Sequence, residues 1–294
     1  MYPIDILFNM TRKLGAHLSI SGGYDKALER IKNIGGNCLQ MFSSSPRGWN
    51  KAKTTLDQIN LFKKKKDLLA IKPVYFHASY LINLADNGRI GNLSKEMLIN
   101  ELQIASQLDI VGSIIHLGSF KKNLPVIWDV SKDKKYSVLI TNILEVFANT
   151  PKDAFFIIEN AGNRKIGQTL EEISRIVKDL NDERVKICLD TCHLFSSGYR
   201  FSNNNELNLL LNKLDELDLL DKIELWHIND SRDPFASFHD RHENIGQGTI
   251  GLNSFETLLN HPKTRKYPFI IETPGFDNNG PDKKNLDILK NMII

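Results

Sequence analysis

The sequence is short of three features that would place it in a specialised class of protein. It has only three cysteines, and this odd and sparse set excludes a disulfide-stabilised scaffold. Its longest apolar runs, such as residues 155–158, fall far short of the roughly 20 residues that cross a bilayer, so no membrane span is expected. Its 38 basic and 35 acidic residues leave a net charge of +3, and charge alone identifies no polyanionic partner.

The sequence also lacks targeting and linker segments. The first ten residues contain Asp5 and no basic segment or small-residue cleavage site, so we expect no secretory signal and a cytoplasmic protein. No Pro-, Gly- or Ser-rich stretch divides the chain, so one domain is expected. The densest basic run, residues 63–66, lies in a helical pattern and is interpreted as a solvated helix face.

Short apolar runs alternate with helical patterns along the chain. Eight runs are typical of strands: residues 14–17, 37–42, 74–77, 113–116, 154–159, 186–190, 222–228 and 268–272. Eight helical patterns follow them: residues 24–34, 55–70, 94–108, 136–148, 169–180, 206–219, 254–259 and 283–292. The strand runs are almost continuously apolar, as in parallel strands covered on both faces. The sequence therefore predicts the α/β class and a single (β/α)8 TIM barrel.

Six of the predicted strands end in a histidine or an acidic residue. These residues, one for each of strands three to eight, are His77, His116, Glu159, Asp190, His227 and Glu272. A single such residue is more often an ordinary hydrogen-bonded loop residue, but that explanation does not account for six. The carboxyl ends of barrel strands meet at one mouth, where gathered carboxylates need a counter-ion. The pattern predicts a metal site at the C-terminal ends of the strands.

Two short motifs add three potential ligands to these six. His193 follows Asp190 by three residues, about one helical turn. Asp240 and His242 have the i,i+2 spacing that puts both side chains on one side of an extended segment. With sharing, five histidines and four acids can supply three zinc ions with three or four protein ligands each.

Two cysteines and a further histidine lie near these positions in the sequence. Cys188 falls within an apolar strand and Cys192 lies between two better ligands, so neither is favoured as a metal ligand. His17 ends the first predicted strand. Two roles are open for it: an ordinary structural hydrogen bond, or a position next to the metal site in which it contacts a metal ligand or a phosphate.

The motifs, in this order and spacing, resemble those of the endonuclease IV family of apurinic/apyrimidinic (AP) endonucleases, from residue 14 onward. The matching stretches are GAHLS (15–19), HASYLINL (77–84), IENAG (158–162), LDTCH (189–193), WHIND (226–230), DRHENIG (240–246) and ETPG (272–275). Leu117 stands where many relatives have proline, and residues 1–12 precede the usual start. The resemblance implies an N-terminal extension at 1–12, without an assigned role, and a TIM-barrel AP endonuclease domain at 13–294.

The resemblance also implies how the ligands are shared among three Zn²⁺ ions per chain. The first ion is held by His77, His116 and Glu159, and Glu159 bridges to the second ion. The second is completed by Asp190, His227 and Glu272. The third is held by His193, Asp240 and His242.

The function that the resemblance implies is DNA repair on double-stranded DNA containing abasic sites. A hydrolase of the deoxyribonuclease IV type would cut the phosphodiester 5′ to the abasic site by a trinuclear zinc mechanism, with Glu159 as the catalytic carboxylate. The products would be a 3′-hydroxyl and a 5′-deoxyribose phosphate. No membrane partner is implied, and we expect a monomer.

Two loops match the family's DNA-entering loops. Arg47 and Trp49 follow the second predicted strand, and Tyr80 and Leu81 follow the third, next to the ligand His77. As isolated residues they are more often packed or solvated. At the barrel mouth they fit a role in DNA binding, as wedges that unstack a base step and allow a nucleotide to flip.

Two alternatives remain at this stage. A metal-dependent sugar isomerase or epimerase on the same barrel would share Glu159, Asp190, His227 and Glu272, but would not require the five further ligands. A catalytically silent protein that binds damaged DNA would lack at least one ligand, and none is missing.

Overall fold

Eight parallel strands close into a barrel in the computed structural model, which describes residues 12–120 and 135–294. The strands in these residues are β1 (Leu14–His17), β2 (Cys38–Phe42), β3 (Val74–His77), β4 (Gly112–Ile115), β5 (Phe155–Glu159), β6 (Val185–Asp190), β7 (Ile223–His227), β8 (Asp230–Ser231), β9 (His242–Glu243) and β10 (Phe269–Ile271). The barrel order is β1-β10-β7-β6-β5-β4-β3-β2, and β1 pairs with both β10 and β2. The predicted (β/α)8 barrel is confirmed. Strands β8 and β9 form a separate antiparallel pair above it.

Helices connect the strands and cover the outside of the barrel. They are α1 (Tyr24–Asn33), α2 (Leu56–Leu68), α3 (Arg89–Gln107), α4 (Tyr136–Ala148), α5 (Leu170–Leu180), α6 (Thr191–Ser196), α7 (Asn204–Glu216), α8 (Leu252–Asn260) and α9 (Lys283–Asn291). No helix within 12–120 and 135–294 is long and apolar enough to cross a membrane. Part of the predicted 1–12 extension, residues 1–11, lies outside the described residues.

Local sequence signals explain where several helices begin. Thr55 starts α2 and Thr169 starts α5, each with a capping box in which the residue three positions later, Gln58 or Glu172, returns the hydrogen bond. Helix α6 was not predicted as a separate element. It begins directly after β6, because the Asp190 side chain accepts a hydrogen bond from the His193 N–H and caps it.

The barrel interior is apolar up to the level of the strand ends. Its buried cluster comprises Cys38, Tyr75, Ile114, Ile157, Cys188, Leu225 and Ile270, and a larger cluster fills the layer between strands and helices. We call this barrel-interior cluster the apolar plug. Because successive strand residues face opposite sides, the last inward-facing position of each strand lies above the plug and is free for a polar side chain.

The basic run at residues 63–66 does not form a uniformly solvated face. Lys66 is buried, and its ammonium donates to the carbonyl oxygens of Leu108 at 3.2 Å and Asp109 at 2.8 Å, just beyond α3. Lys65 pairs with Asp25 on α1 at 2.8 Å. The solvated-face interpretation was wrong for Lys66, because this part of α2 lies between α1 and the segment that follows α3.

Candidate metal centre

All nine predicted ligands lie at the C-terminal mouth of the barrel. Their donor atoms form three overlapping groups, each with atoms within 4.8 Å of one another: His77, His116 and Glu159; Glu159, Asp190, His227 and Glu272; and Asp190, His193 and His242. Asp240 adjoins the third group, since its Oδ1 lies 2.9 Å from Nε2 of His193. The shared residues Glu159 and Asp190 make the three groups one continuous cluster.

Glu159 lies at the centre of four imidazoles and is fully buried. One carboxylate oxygen, Oε2, lies 3.2 Å from Nε2 of His77 and 3.2 Å from Nε2 of His116. The other, Oε1, lies 3.1 Å from Nδ1 of His227 and 3.3 Å from Nδ1 of His193. A carboxylate with one oxygen toward each side is placed to bridge two ions.

The imidazoles of the cluster keep the Glu159 carboxylate ionised. Burial raises the pKa of Glu159, but the charges of His116 and His227 outweigh it and hold that pKa well below its usual value. Burial lowers the pKa of His193, but the neighbouring carboxylates, led by Asp190 and Asp240, raise it well above its usual value. Buried carboxylates in this number therefore need positive charge among them, from protons or from metal ions.

Two donors are ready to bind a cation. Burial lowers the pKa of His116 to about 4, so its imidazole is neutral at pH 7. The Nε2 atom of His242 is buried without a hydrogen-bond partner, 3.6 Å from both Asp190 Oδ2 and Asp240 Oδ1. A ring nitrogen and two carboxylate oxygens at such spacing, with no thiolate in the set, match the donors that zinc accepts.

Backbone carbonyls orient two of the imidazoles. Nδ1 of His77 lies 2.8 Å from the carbonyl oxygen of Ala78, and Nδ1 of His193 lies 2.8 Å from that of Asn160. Because a carbonyl only accepts, each Nδ1 carries a proton, and in the neutral imidazole the lone pair is on Nε2, toward the cluster.

The amide residues behind the acids carry almost no signal in the sequence. Asn229, two residues after β7, donates from Nδ2 to Oδ2 of Asp190 at 2.6 Å and accepts the Glu272 N–H at 2.7 Å. The only sequence signal was its place in the WHIND motif. Asn229 thereby links the end of β6 to the end of β10 and fixes two ligands at once.

The loop that carries Asp240 and His242 is organised by a buried acid. The Asp230 carboxylate, in β8, accepts backbone N–H groups of Gly246 at 2.9 Å, Gly248 at 3.0 Å and Ile250 at 3.1 Å. Of the two residues predicted to share an extended segment, His242 lies in β9 and Asp240 precedes that strand.

The residues that the sequence analysis set aside also have defined places. His17 faces the cluster, with Nδ1 3.2 Å from Oε1 of Glu272. Cys188 lies in the apolar barrel interior, and the Cys192 thiol contacts the carbonyl oxygen of Arg241 at 3.7 Å. Both thiols have pKa values raised by burial, which disfavours the thiolate that metals bind.

Four predicted DNA contacts lie on two adjoining loops at the rim. Arg47 is exposed, while Trp49 is half-buried and packs against the core. Tyr80 is 66% exposed, and its ring packs edge-on against Phe42 at 5.4 Å between centroids. Leu81 is also exposed. The Ser79 hydroxyl donates to the carbonyl oxygen of Pro46 at 2.8 Å, so the two loops are joined.

A buried acid, Glu101, anchors the start of the loop that follows β2 and carries Arg47. Both oxygens of Glu101, on α3, accept hydroxyl protons, one from Ser43 after β2 and the other from Ser113 in β4. Burial raises the pKa of Glu101 to about 7, against the hydrogen bonds from these hydroxyls.

Glu101→Gln should therefore become more stabilising, relative to wild type, as pH rises. The wild-type carboxyl ionises at lower pH in the unfolded chain than in the fold, so its contribution to stability falls between about pH 4.5 and 7. The amide does not titrate, and the difference in free energy of unfolding should grow by about 2–4 kcal/mol across that interval. Denaturant unfolding at pH 5 and pH 8 checks it. An equal difference at both values would contradict it.

Comparison with known proteins agrees with this architecture. Residues 28–292 match a family described as the xylose isomerase-like TIM barrel. A probable endonuclease 4 of Thermosipho africanus is 37% identical over 288 residues, which cover 96% of this chain and 99% of that protein. The chain belongs to the endonuclease IV family.

Solved structures separate the endonuclease IV family from its neighbours in fold. The crystal structure of endonuclease IV from Thermus thermophilus superposes with a TM-score of 0.81 at 27% identity, covering 95% of this chain and 98% of that one. A 3-keto-D-glucoside 4-epimerase from E. coli has a TM-score of 0.65 at 15% identity, covering 95% of this chain and 99% of that one. The epimerase shares the barrel alone, whereas the endonuclease IV family also shares the sequence.

Proposed function

We propose that this chain is a DNA-repair AP endonuclease that hydrolyses the phosphodiester 5′ to an abasic site in double-stranded DNA, leaving a 3′-hydroxyl and a 5′-deoxyribose phosphate. The observation that carries the proposal is the continuous cluster in which Glu159 and Asp190 are shared between groups of ligands. Membership of the endonuclease IV family supports the same reaction. A monomer located in the cytoplasm with the DNA stays a prediction.

We propose three zinc ions as the cofactor of this cluster. The nine residues would hold them in the grouping that the family resemblance implies, with Glu159 shared between the first two ions and Asp240 beside His193 and His242. Zinc bound there would supply a nucleophile from water at neutral pH and a counter-charge for the leaving oxygen. Three divalent ions would exceed the charge of the four carboxylates, so the loaded site would be cationic and suited to an anionic phosphodiester.

The chain's own residues provide the cavity for the substrate. A cavity of about 420 Å³ opens above the cluster and is lined by six of the nine ligands, together with His17, Phe42, Tyr80, Thr273 and residues near Pro281. This volume lies in the range of small-molecule sites and suits a single sugar phosphate. The abasic nucleotide would leave the duplex to enter this cavity, and Tyr80 at its edge would fill the gap.

The decisive experiment combines metal counting with a cleavage assay on the purified protein. We expect about three zinc ions per chain, from the ligand count, and cutting of a duplex carrying one abasic site on its 5′ side. The intact duplex is the control. Full activity at a reproducible one metal per chain would contradict the trinuclear proposal, and turnover of sugars without cleavage would favour the isomerase alternative.

Arg47→Ala and Tyr80→Ala should weaken recognition of abasic DNA and leave the metal centre intact. Both residues lie on the rim, where a side chain can enter a groove, and neither belongs to the ligand groups. Unstacking a base step costs a few kcal/mol, and without the wedge side chain this cost is no longer offset. Kd or KM should therefore rise more than kcat falls. The loss of recognition is measured by comparing the binding of abasic and intact duplexes at fixed salt.

The salt dependence of binding separates the two variants. It should be unchanged in Tyr80→Ala, which removes no charge, and flatter in Arg47→Ala if Arg47 contacts a phosphate. Zinc content serves as the control for both. If both variants keep the wild-type preference for abasic DNA, these loops do not sense the damage.

A further inference from the structure

Gln40 is a buried amide at the centre of the mouth that belongs to none of the ligand groups. It lies in β2, a strand that contributes no ligand, and is fully buried. Cys38, two residues earlier, lies in the barrel interior, while Leu39 and Met41 pack in the layer under the helices. Gln40 therefore points inward, one layer above the apolar plug.

The carboxamide of Gln40 contacts three side chains, two at the ends of β1 and β7 and one directly after β10. Its Oε1 lies 2.6 Å from Nε2 of His227. Its Nε2 lies 2.6 Å from Oε1 of Glu272 and 2.8 Å from Nδ1 of His17. These contacts can use both N–H donors of the amide and one of the two lone pairs of its oxygen.

Only one orientation of this amide is compatible with its partners. A carboxylate accepts and does not donate, so the NH₂ group of Gln40 must face Glu272. The amide oxygen then faces His227, and Nε2 of that imidazole must carry a proton to donate to it. The lone pair of neutral His227 is thereby placed on Nδ1.

That lone pair is on the side where the cluster would hold metal. Nδ1 of His227 lies 3.1 Å from Oε1 of Glu159 and 3.4 Å from Oε2 of Glu272. The same amide holds the other oxygen of Glu272, so it orients two ligands of one group through hydrogen bonds alone. An apolar side chain would fill the volume but do neither.

We propose that Gln40 is a positioning residue for the second metal: it fixes the tautomer of His227 and the rotation of Glu272. The inference rests on the proposed metal centre. It gives a role to β2, which contributes no ligand: Gln40 holds His227 and Glu272, at the ends of β7 and β10, in the orientation that binds the ion.

Gln40→Met tests the proposal, because it keeps the side-chain length and removes all three hydrogen bonds. We expect retention of two zinc ions per chain instead of three after dialysis against a competing chelator, with affinity at the weakened site lower by about 10–100-fold. Asn142→Leu is the matched control. Asn142 is also a buried amide, bonded to the carbonyl oxygens of Leu84 and Asp86, and touches no ligand.

A second readout includes a measurement on the wild type alone, which does not depend on the variant folding. In the zinc-loaded wild type, NMR should show a slowly exchanging imidazole proton on Nε2 of His227, and this signal should vanish in Gln40→Met. Unchanged zinc retention in Gln40→Met, an equal loss in Asn142→Leu, or a wild-type His227 protonated on Nδ1 would each overturn the inference. Wild type that binds no zinc at all would instead overturn the proposed function.

Discussion

Glu159→Gln is expected to fold and to lose about 10³-fold or more in cleavage of abasic duplex, at least as much as removing one preorganised electrostatic contact costs other enzymes. The carboxylate is within 3.3 Å of ring nitrogens of four histidines, two on each oxygen. The amide of the variant has no negative charge, and its NH₂ group faces two of the four histidines. The variant can no longer bridge two cations, and single-turnover cleavage with metal analysis measures the loss.

The matched control is Glu224→Gln. Glu224 is a carboxyl in β7 that accepts a hydrogen bond from the Tyr75 hydroxyl at 2.9 Å and belongs to none of the ligand groups. It should retain wild-type cleavage. Wild-type turnover by Glu159→Gln would reject a bridging role for this carboxylate.

Removal of the metals is expected to abolish cleavage and to lower Tm by at least roughly 10 °C, the amount that one tightly bound ion accounts for. A single ion at about 1,000 times its Kd stabilises the fold by about 4 kcal/mol. Each kcal/mol shifts Tm by roughly 2–4 °C in a domain of this size. Without the ions, only protons on the imidazoles balance the buried carboxylates, and protons cannot bridge them as firmly.

Calorimetry of chelator-treated protein before and after zinc is returned checks this expectation. Both activity and Tm should recover with zinc. Glu159→Gln provides the control, since a chelator should shift its Tm less. A stripped protein with unchanged Tm and full activity would show that the cluster is not a metal centre.

The sequence was sufficient to predict the barrel because each strand is a short apolar run between amphipathic helices. Local composition thus specifies both the element and its neighbour. Boundaries were less certain: α3 begins at Arg89, five residues before the predicted start at residue 94. Gly88 gives no side-chain cap there, so no sequence signal marked that position.

The candidate ligands were visible because histidines and acids at strand ends are conspicuous in a parallel barrel. The groups that orient them were not. Gln40 and Asn229 are neutral amides whose partners come from strands distant in the sequence. Lys66 was misjudged for the same reason, because its carbonyl partners follow a different helix. Such contacts depend on tertiary packing, which periodicity does not encode.

The order of the ligands along the chain has a consequence for synthesis of the protein. The group around Glu159 is completed by Glu272, directly after the last barrel strand, and β10 must pair with both β1 and β7 to hold that residue in place. A nascent chain still missing its C-terminal segment therefore presents an open sheet with an incomplete set of donors. The group around Glu159 has all of its donors only after β10 has been synthesised and has paired with β1 and β7, so binding of the ion proposed there would be coupled to barrel closure.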